Sequence, residues 1–326
     1  MELFDVLIIG GGPIGLACAL EARKNNLKYI VIEKGTVANS IYKYPLYMTF
    51  FSTADRLEID EIPFITTRPK PGRQDALEYY QGIAKAKDIN IKTYEKVINI
   101  KKTAFFQVET SKQIYFAKNI IVATGFYDIP NLMEIPGEEL PKVSHYYTEP
   151  YPYAFQNVMV IGSSNSAVDA ALEIYRKGGN VTMVIRSSEI SKSVKYWVKP
   201  DIENRIKEGS IKAFFGAELL EIKPNSVVFR TKAGEIKEIE NDFVLAMTGY
   251  LPDFEFLKAI GIDLKNNCQN PHYDPATMET NIDGIYLAGV VCGGKDTHLW
   301  FIENSRIHAK QIIRDIIRKK ESEKNS

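Results

Sequence analysis

Two glycine-rich turns, each preceded by an apolar strand and followed by a helix, constrain this chain more than any other feature. The first, Gly10-Gly11-Gly12-Pro13-Ile14-Gly15, ends the run Phe4-Asp5-Val6-Leu7-Ile8-Ile9 and opens the helical stretch Leu16-Ala17-Cys18-Ala19-Leu20-Glu21-Ala22. This is the strand, turn and helix of a Rossmann unit. Gly10 permits the tight turn, Gly12 lets the backbone approach a pyrophosphate, and Gly15 lets helix and strand pack closely, while free N–H groups at the helix N-terminus face the phosphates. The next strand, Lys28-Tyr29-Ile30-Val31-Ile32, ends at Glu33, where an acid accepts hydrogen bonds from an adenosine ribose.

The second turn, Gly162-Ser163-Ser164-Asn165-Ser166-Ala167, follows Asn157-Val158-Met159-Val160-Ile161 and precedes another helical stretch. Ser164 stands where a middle glycine is expected; a small hydroxyl residue fits there and can donate to phosphate. The following strand, Val181-Thr182-Met183-Val184-Ile185, ends in Arg186 rather than an acid. A guanidinium there suits a 2′-phosphate and favours NADPH over NADH. Two such turns predict two bound dinucleotides.

At 326 residues the chain suits two domains. Lys+Arg and Asp+Glu balance at 41 each, so no global field draws nucleic acid or an anionic membrane. The apolar N-terminus carries Glu2 and Asp5 in place of a basic leader, and no segment is long and apolar enough to span a bilayer. A cytoplasmic protein is expected. Cys18, Cys268 and Cys292 form no CxxC, and His145, His272, His298 and His308 show no ligand spacing, so neither a disulfide framework nor a metal is expected.

The fold class expected is α/β: two Rossmann-like dinucleotide-binding domains, the second inserted in the first. Asn119-Ile120-Ile121-Val122-Ala123-Thr124-Gly125 and Asp242-Phe243-Val244-Leu245-Ala246-Met247-Thr248-Gly249 both end a buried strand in Thr-Gly before a proline-containing crossing. They divide the chain into an outer domain, 1–125 with 250–326, and an inserted domain, 126–249. Within the outer domain a helix is expected around Gln74 to Ala86, then antiparallel strands over Lys92–Val97, Phe105–Glu109 and Ile114–Phe116. The aromatic stretch Ile41–Thr53 is too bulky for a solvent loop, which leaves a flat ligand or simple core packing. Asp283–Gly289 reads as a buried strand, followed by a helix from about Leu299 to Ile317 with Ile302, Ala309, Ile313 and Ile316 inward. The positive end of that helix could stabilise a reduced flavin. The tail Lys319–Ser326 is expected to fray.

With those residues in hand, the chain resembles the two-dinucleotide-fold flavoprotein reductases of the thioredoxin reductase type over nearly its whole length. Within them, Tyr44-Pro45-Leu46-Tyr47-Met48-Thr49-Phe50-Phe51-Ser52-Thr53, Ala76-Leu77-Glu78-Tyr79-Tyr80, Ser193-Val194-Lys195-Tyr196-Trp197 and Phe301-Ile302-Glu303-Asn304 are most similar to the bacillithiol-disulfide reductase family. The resemblance implies an enzyme that uses NADPH and FAD to reduce a low-molecular-weight disulfide. Its FAD set is Gly10, Gly12, Pro13, Ile14, Gly15, Glu33, Lys34, Val97, Ala123, Thr124, Gly125, Gly289 and Val290. Its NADPH set is Gly162, Ser163, Ser164, Asn165, Ser166 and Arg186. It assigns no catalytic residue here. Val290 stands where thioredoxin reductases carry an Asp and where the bacillithiol branch is similarly apolar, but Ile14 replaces that branch's turn cysteine.

Isoleucine cannot form a mixed disulfide. Three routes follow: direct transfer from flavin to disulfide, substitution by another thiol such as Cys292, or a different acceptor. The third is preferred, with fast flavin reduction by NADPH and weak turnover of bacillithiol disulfide. A small-molecule or small redox-protein acceptor is expected, and a homo-oligomer is compatible. Alternatives are a ferredoxin, flavodoxin or quinone reductase, which needs no thiol; a flavin monooxygenase, on Ser144-His145-Tyr146; and a nucleotide-sensing protein without turnover.

Overall fold

The computed structural model describes residues 2–265 and 269–324, so Cys268 lies outside the described residues. Two compact units emerge, one of residues 1–43, 49–129 and 250–326, the other of residues 44–48 and 130–249.

The first unit is built on a seven-stranded sheet. Leu3–Ile9 lies between Tyr29–Ile32 and Ile114–Val122, parallel to both. Its Val6, Leu7 and Ile8 are fully buried, the continuous apolar run expected of a parallel strand covered on both faces. Two sequence expectations fail here. The strand expected over Lys92–Val97 is broken: Ile91–Lys92 extends the parallel edge beside Tyr29–Ile32, and an antiparallel strand starts at Val97. Between them Tyr94 takes a left-handed φ of 52°. Glu95, 2% exposed, turns its carboxylate inward to accept from Thr110 Oγ1 at 2.6 Å. Conversely, the segments read as Ile114–Phe116 and Asn119–Gly125 are one strand, Ile114–Val122. Its first half is antiparallel to Phe106–Thr110, and its second half is parallel to Ile285–Leu287 on the same edge.

The C-terminal helix starts later than expected. A single turn, Ile302–Ser305, precedes the helix Ile307–Lys324. Arg306 between them donates to the Glu58 carbonyl at 2.7 Å. Ala309, Ile312, Ile313 and Ile316 are buried, whereas Ile302 is only half-buried. The start of the supposedly frayed tail is held: Lys319 pairs with Asp283 at 2.8 Å and Lys320 with Asp5 at 3.2 Å. Asn325 and Ser326 lie outside the described residues.

The second unit has a five-stranded parallel sheet in the order Lys212–Phe215, Asn180–Ile185, Asn157–Ile161, Phe243–Ala246, Val143–Ser144. Because successive side chains of a strand point to opposite faces, Val158 and Val160 pack with Ala167, Ala171 and Ile174 of the helix Asn165–Arg176. Met159 and Ile161 pack on the other face against Ala217, Val227 and Phe229. That second cover comes from an antiparallel meander, Glu218–Ile222, Ser226–Arg230 and Ile236–Glu240, which sequence analysis did not anticipate. No helix among the described residues is long and apolar enough to cross a membrane.

Candidate functional site

At the first turn the backbone leaves little freedom. Gly10 has φ +108°, and a Cβ there would stand 2.4 Å from the Ala123 carbonyl oxygen. Gly15 is tighter, its would-be Cβ 1.9 Å from the Gly10 oxygen, so only hydrogen lets the helix reach the strand. Gly12 differs: no atom of the described residues lies within 4 Å of its would-be Cβ, which leaves a cradle beside the N-terminus of the helix Pro13–Lys24. Pro13 occupies the first helical position, where its missing N–H costs nothing. Glu33 is buried at the strand end and already accepts from Gly11 N–H at 2.6 Å and Gly35 N–H at 2.8 Å. Burial pushes its carboxyl above the usual range, against those two donors and the nearby Lys34. Each oxygen retains a lone pair for a further donor.

Beside this turn, Thr124 Oγ1 is buried without a partner among the described residues. Gly125 and Gly289 both have positive φ, +72° and +86°. Ile14 packs on Gly289, whose would-be Cβ lies 3.3 Å from Ile14 Cγ1, so the family's cysteine position is filled by hydrocarbon. The Gly289 N–H donates to His308 Nδ1 at 3.1 Å, and Cys292 Sγ stands 4.0 Å from the same nitrogen. Since Nδ1 accepts, the neutral ring carries its proton on Nε2, a buried atom without a partner among the described residues. Burial pushes His308 down to about 4. It also raises the Cys292 thiol and pushes Cys18 up to about 12, so both described cysteines stay protonated at neutral pH. Val290 opens the single turn Val290–Gly293 that carries Cys292.

At the second turn Gly162 has φ +124°, with a would-be Cβ 2.6 Å from the Met247 carbonyl oxygen. Ser164 is the N-cap of the helix Asn165–Arg176 and makes no side-chain capping bond, and Ser166 is exposed one residue into the helix. Asn165 uses its amide internally: Oδ1 accepts from Lys195 N–H and Nδ2 donates to the Ser193 carbonyl, both at 2.9 Å. Ser163 receives the Ser191 N–H on its carbonyl at 3.1 Å. Arg186 is exposed and makes no ion pair or hydrogen bond among the described residues.

The remaining candidates are more scattered. Lys34 pairs with Asp128 at 2.8 Å, and Lys43 joins at 2.9 Å; against burial, the two ammonium groups hold that carboxyl below its usual value. Val97 is buried opposite Thr110. The aromatic stretch is not core throughout: Tyr42, Tyr47 and Phe51 are each more than half exposed. His145 faces Glu138 at 3.4 Å. No three His, Cys, Asp or Glu side chains among the described residues gather as metal ligands. His308 carries one signal in the sequence, its place among Ala309, Ile312 and Ile313 on the inward face of a helix, but no ligand spacing that marks it as functional. Lys195, only 7% exposed, carries none.

Comparison with known proteins meets this geometry. The profile of the pyridine nucleotide-disulphide oxidoreductases matches residues 7–289. The bacilliredoxin reductase Bdr of Bacillus subtilis (strain 168) is 45% identical across 96% of this chain and 97% of its own. This chain belongs to the bacillithiol disulfide reductase family. The Bdr structure from Bacillus cereus superposes with a TM-score of 0.95 at 44% identity, covering 98% of this chain and all of that one. The one from Staphylococcus aureus also reaches 0.95, at 40% identity with the same coverage. Membership in the Bdr family makes this a flavoprotein oxidoreductase that uses a pyridine nucleotide.

Proposed function

We propose that the first turn holds FAD, the second holds NADPH, and the enzyme reduces a disulfide presented by a small bacilliredoxin-type protein. The residues fit the cofactors. The Gly12 cradle admits a pyrophosphate, the orphaned Thr124 hydroxyl has a donor to offer, and Glu33 is held at the turn with lone pairs free for ribose hydroxyls. Ser164 and the first N–H groups of its helix suit a second phosphate group, and Arg186, exposed and without a partner among the described residues, suits a 2′-phosphate. FAD, when bound, supplies two-electron chemistry, accepting a hydride from the nicotinamide and releasing the pair to an acceptor. Free, sparse cysteines suit a reducing cytoplasm.

The observation that carries the acceptor assignment is the state of the thiols. Ile14 fills the turn position, Cys292 is 2% exposed and Cys18 fully buried, and both are held protonated. Neither described cysteine is a nucleophile at neutral pH, so neither relays electrons through a mixed disulfide, and the acceptor's disulfide takes its electron pair directly from the reduced flavin. The chain's part is to bind, orient and exclude water. The test compares NADPH oxidation with an oxidised bacilliredoxin and with bacillithiol disulfide, after anaerobic flavin bleaching has been timed alone. Rapid bleaching, turnover with the protein disulfide and weak turnover with the free disulfide are expected. Equal turnover with a ferredoxin and none with either disulfide would overturn the assignment.

A further inference from the structure

A buried lysine beside the second turn has no part in the proposed chemistry, yet it is held at both its ammonium and its backbone N–H. Lys195 is 7% exposed, and its Nζ meets Asp169 Oδ2 at 2.6 Å. Lysine is seldom buried unless paired. Asp169 lies one helical turn beyond Asn165, so both ends of Lys195 are gripped by one helix face: the ammonium by Asp169, the backbone N–H by Asn165 Oδ1. Asn165 returns a bond to the Ser193 carbonyl, Ser191 N–H reaches the Ser163 carbonyl, and the Ser187 hydroxyl lies 3.3 Å from Ser163 Oγ. The segment Ser187–Lys195 is thus wrapped against the glycine turn itself.

The two ends of this wrapped segment carry the chemically interesting groups. Arg186 precedes it, exposed and without a partner among the described residues. Tyr196 and Trp197 follow it, 70% and 36% exposed, their rings edge to face at 4.8 Å. We propose that Lys195 is a positioning residue for the second nucleotide site, its ion pair with Asp169 latching the Ser187–Trp197 segment so that Arg186 and the aromatic pair are presented together to the nucleotide. The inference rests on the reading that this turn holds NADPH. A buried ion pair suits such a latch because its geometry is directional, and loss of either partner strands the other charge.

The test uses the full-length, FAD-loaded protein and the variants Lys195→Met, Lys195→Arg, Asp169→Asn and Arg186→Ala. NADP+ affinity is measured by calorimetry, KM and kcat with NADPH, and hydrogen exchange at the amides of Ser191–Trp197. Lys195→Met is expected to weaken NADP+ binding and raise KM about tenfold while kcat stays within about twofold. Exchange across the segment should accelerate, and Lys195→Arg should recover most of the affinity. Asp169→Asn keeps the side chain's shape and decides the matter if Lys195→Met does not fold. Wild-type affinity and wild-type exchange in a folded Lys195→Met or Asp169→Asn protein would overturn the latch. If Arg186→Ala weakens NADP+ binding while the latch variants do not, only this inference fails; if Arg186→Ala also leaves it unchanged, the assignment of the nucleotide fails.

Discussion

In the first unit Gly10 sits under the Ala123 carbonyl, its would-be Cβ 2.4 Å away; in the second Gly162 sits under the Met247 carbonyl at 2.6 Å. To that point the two turns share a plan. They part at the helix. Gly15 leaves no room for a methyl group, whereas its counterpart Ala167 carries one, only 1% exposed and 3.3 Å from a would-be Cβ on Gly162. They part again at the strand end, where Glu33 is buried and bound to the turn while Arg186 stands in solvent. The first turn is therefore fixed by its own backbone, and the second by the segment wrapped around it. A tight turn needs no outside support, and a looser one borrows it.

The sharpest way to break this contrast is Gly15→Ala. With the Gly10 oxygen 1.9 Å from the new carbon, the variant should lose about 3 kcal/mol of stability and its flavin. A melting curve and flavin content close to wild type would show that the first turn is not the tight one. Next is acid. Because burial lowers His308 from 6.5 to about 4, the unfolded chain binds its proton first as the pH falls. The stabilisation is complete above 6.5 and is lost as the pH drops through 4, on the order of 3 kcal/mol in total. His308→Gln should flatten that part of the urea-unfolding profile, and an unchanged acid slope would remove His308 as its source.

Arg186→Ala should cost about 1.5–3 kcal/mol of NADPH binding and leave NADH use untouched, read as the ratio of the two kcat/KM values. A wild type indifferent to the 2′-phosphate would contradict the role given to Arg186. Ala167→Gly, the mirror of the first substitution, should cost only about 1 kcal/mol, since the second helix stands far enough off to lose a methyl without collapse. Cys292→Ser is expected to change turnover least, within about a factor of two, because its thiol is buried and protonated. A large loss of disulfide turnover with intact flavin bleaching would make that sulfur a participant.

The parallel cores were legible because their strands are apolar on both faces and end in glycine, and the helix with a serine N-cap followed directly from the second turn. The break at Tyr94 was not legible. Thr93 and Tyr94 are strand-forming residues, and the bend is held by long-range bonds that spacing does not reveal: Tyr94 N–H to the Gly35 carbonyl, Glu95 N–H to the Glu33 carbonyl, and Thr110 to the buried Glu95 carboxylate. The meander over Glu218–Glu240 carried turn signals in Pro224-Asn225 and at Gly234, whose φ is +85°, but its outer strand sets exposed Ile236 among charges and turns only the half-buried Ile239 toward the core. At the site, glycine and strand-end positions could be read from spacing. His308 and Lys195 could not, since their roles depend on partners 19 and 26 residues away in sequence.

The strand Ile114–Val122 fixes the order in which this chain can fold as it leaves the ribosome. Its last residues, Ile120, Ile121 and Val122, find their neighbours at Ile285, Tyr286 and Leu287. The central sheet of the first unit must therefore wait, one edge open, until most of the chain has been made. Residues 130–249 meet no such delay, because nearly all of the second unit is one continuous run. The N-terminal half of the protein is the earlier to be synthesised and the later to be finished. In the interval the edge at Ile120–Val122 stays open, a surface on which another nascent chain can pair.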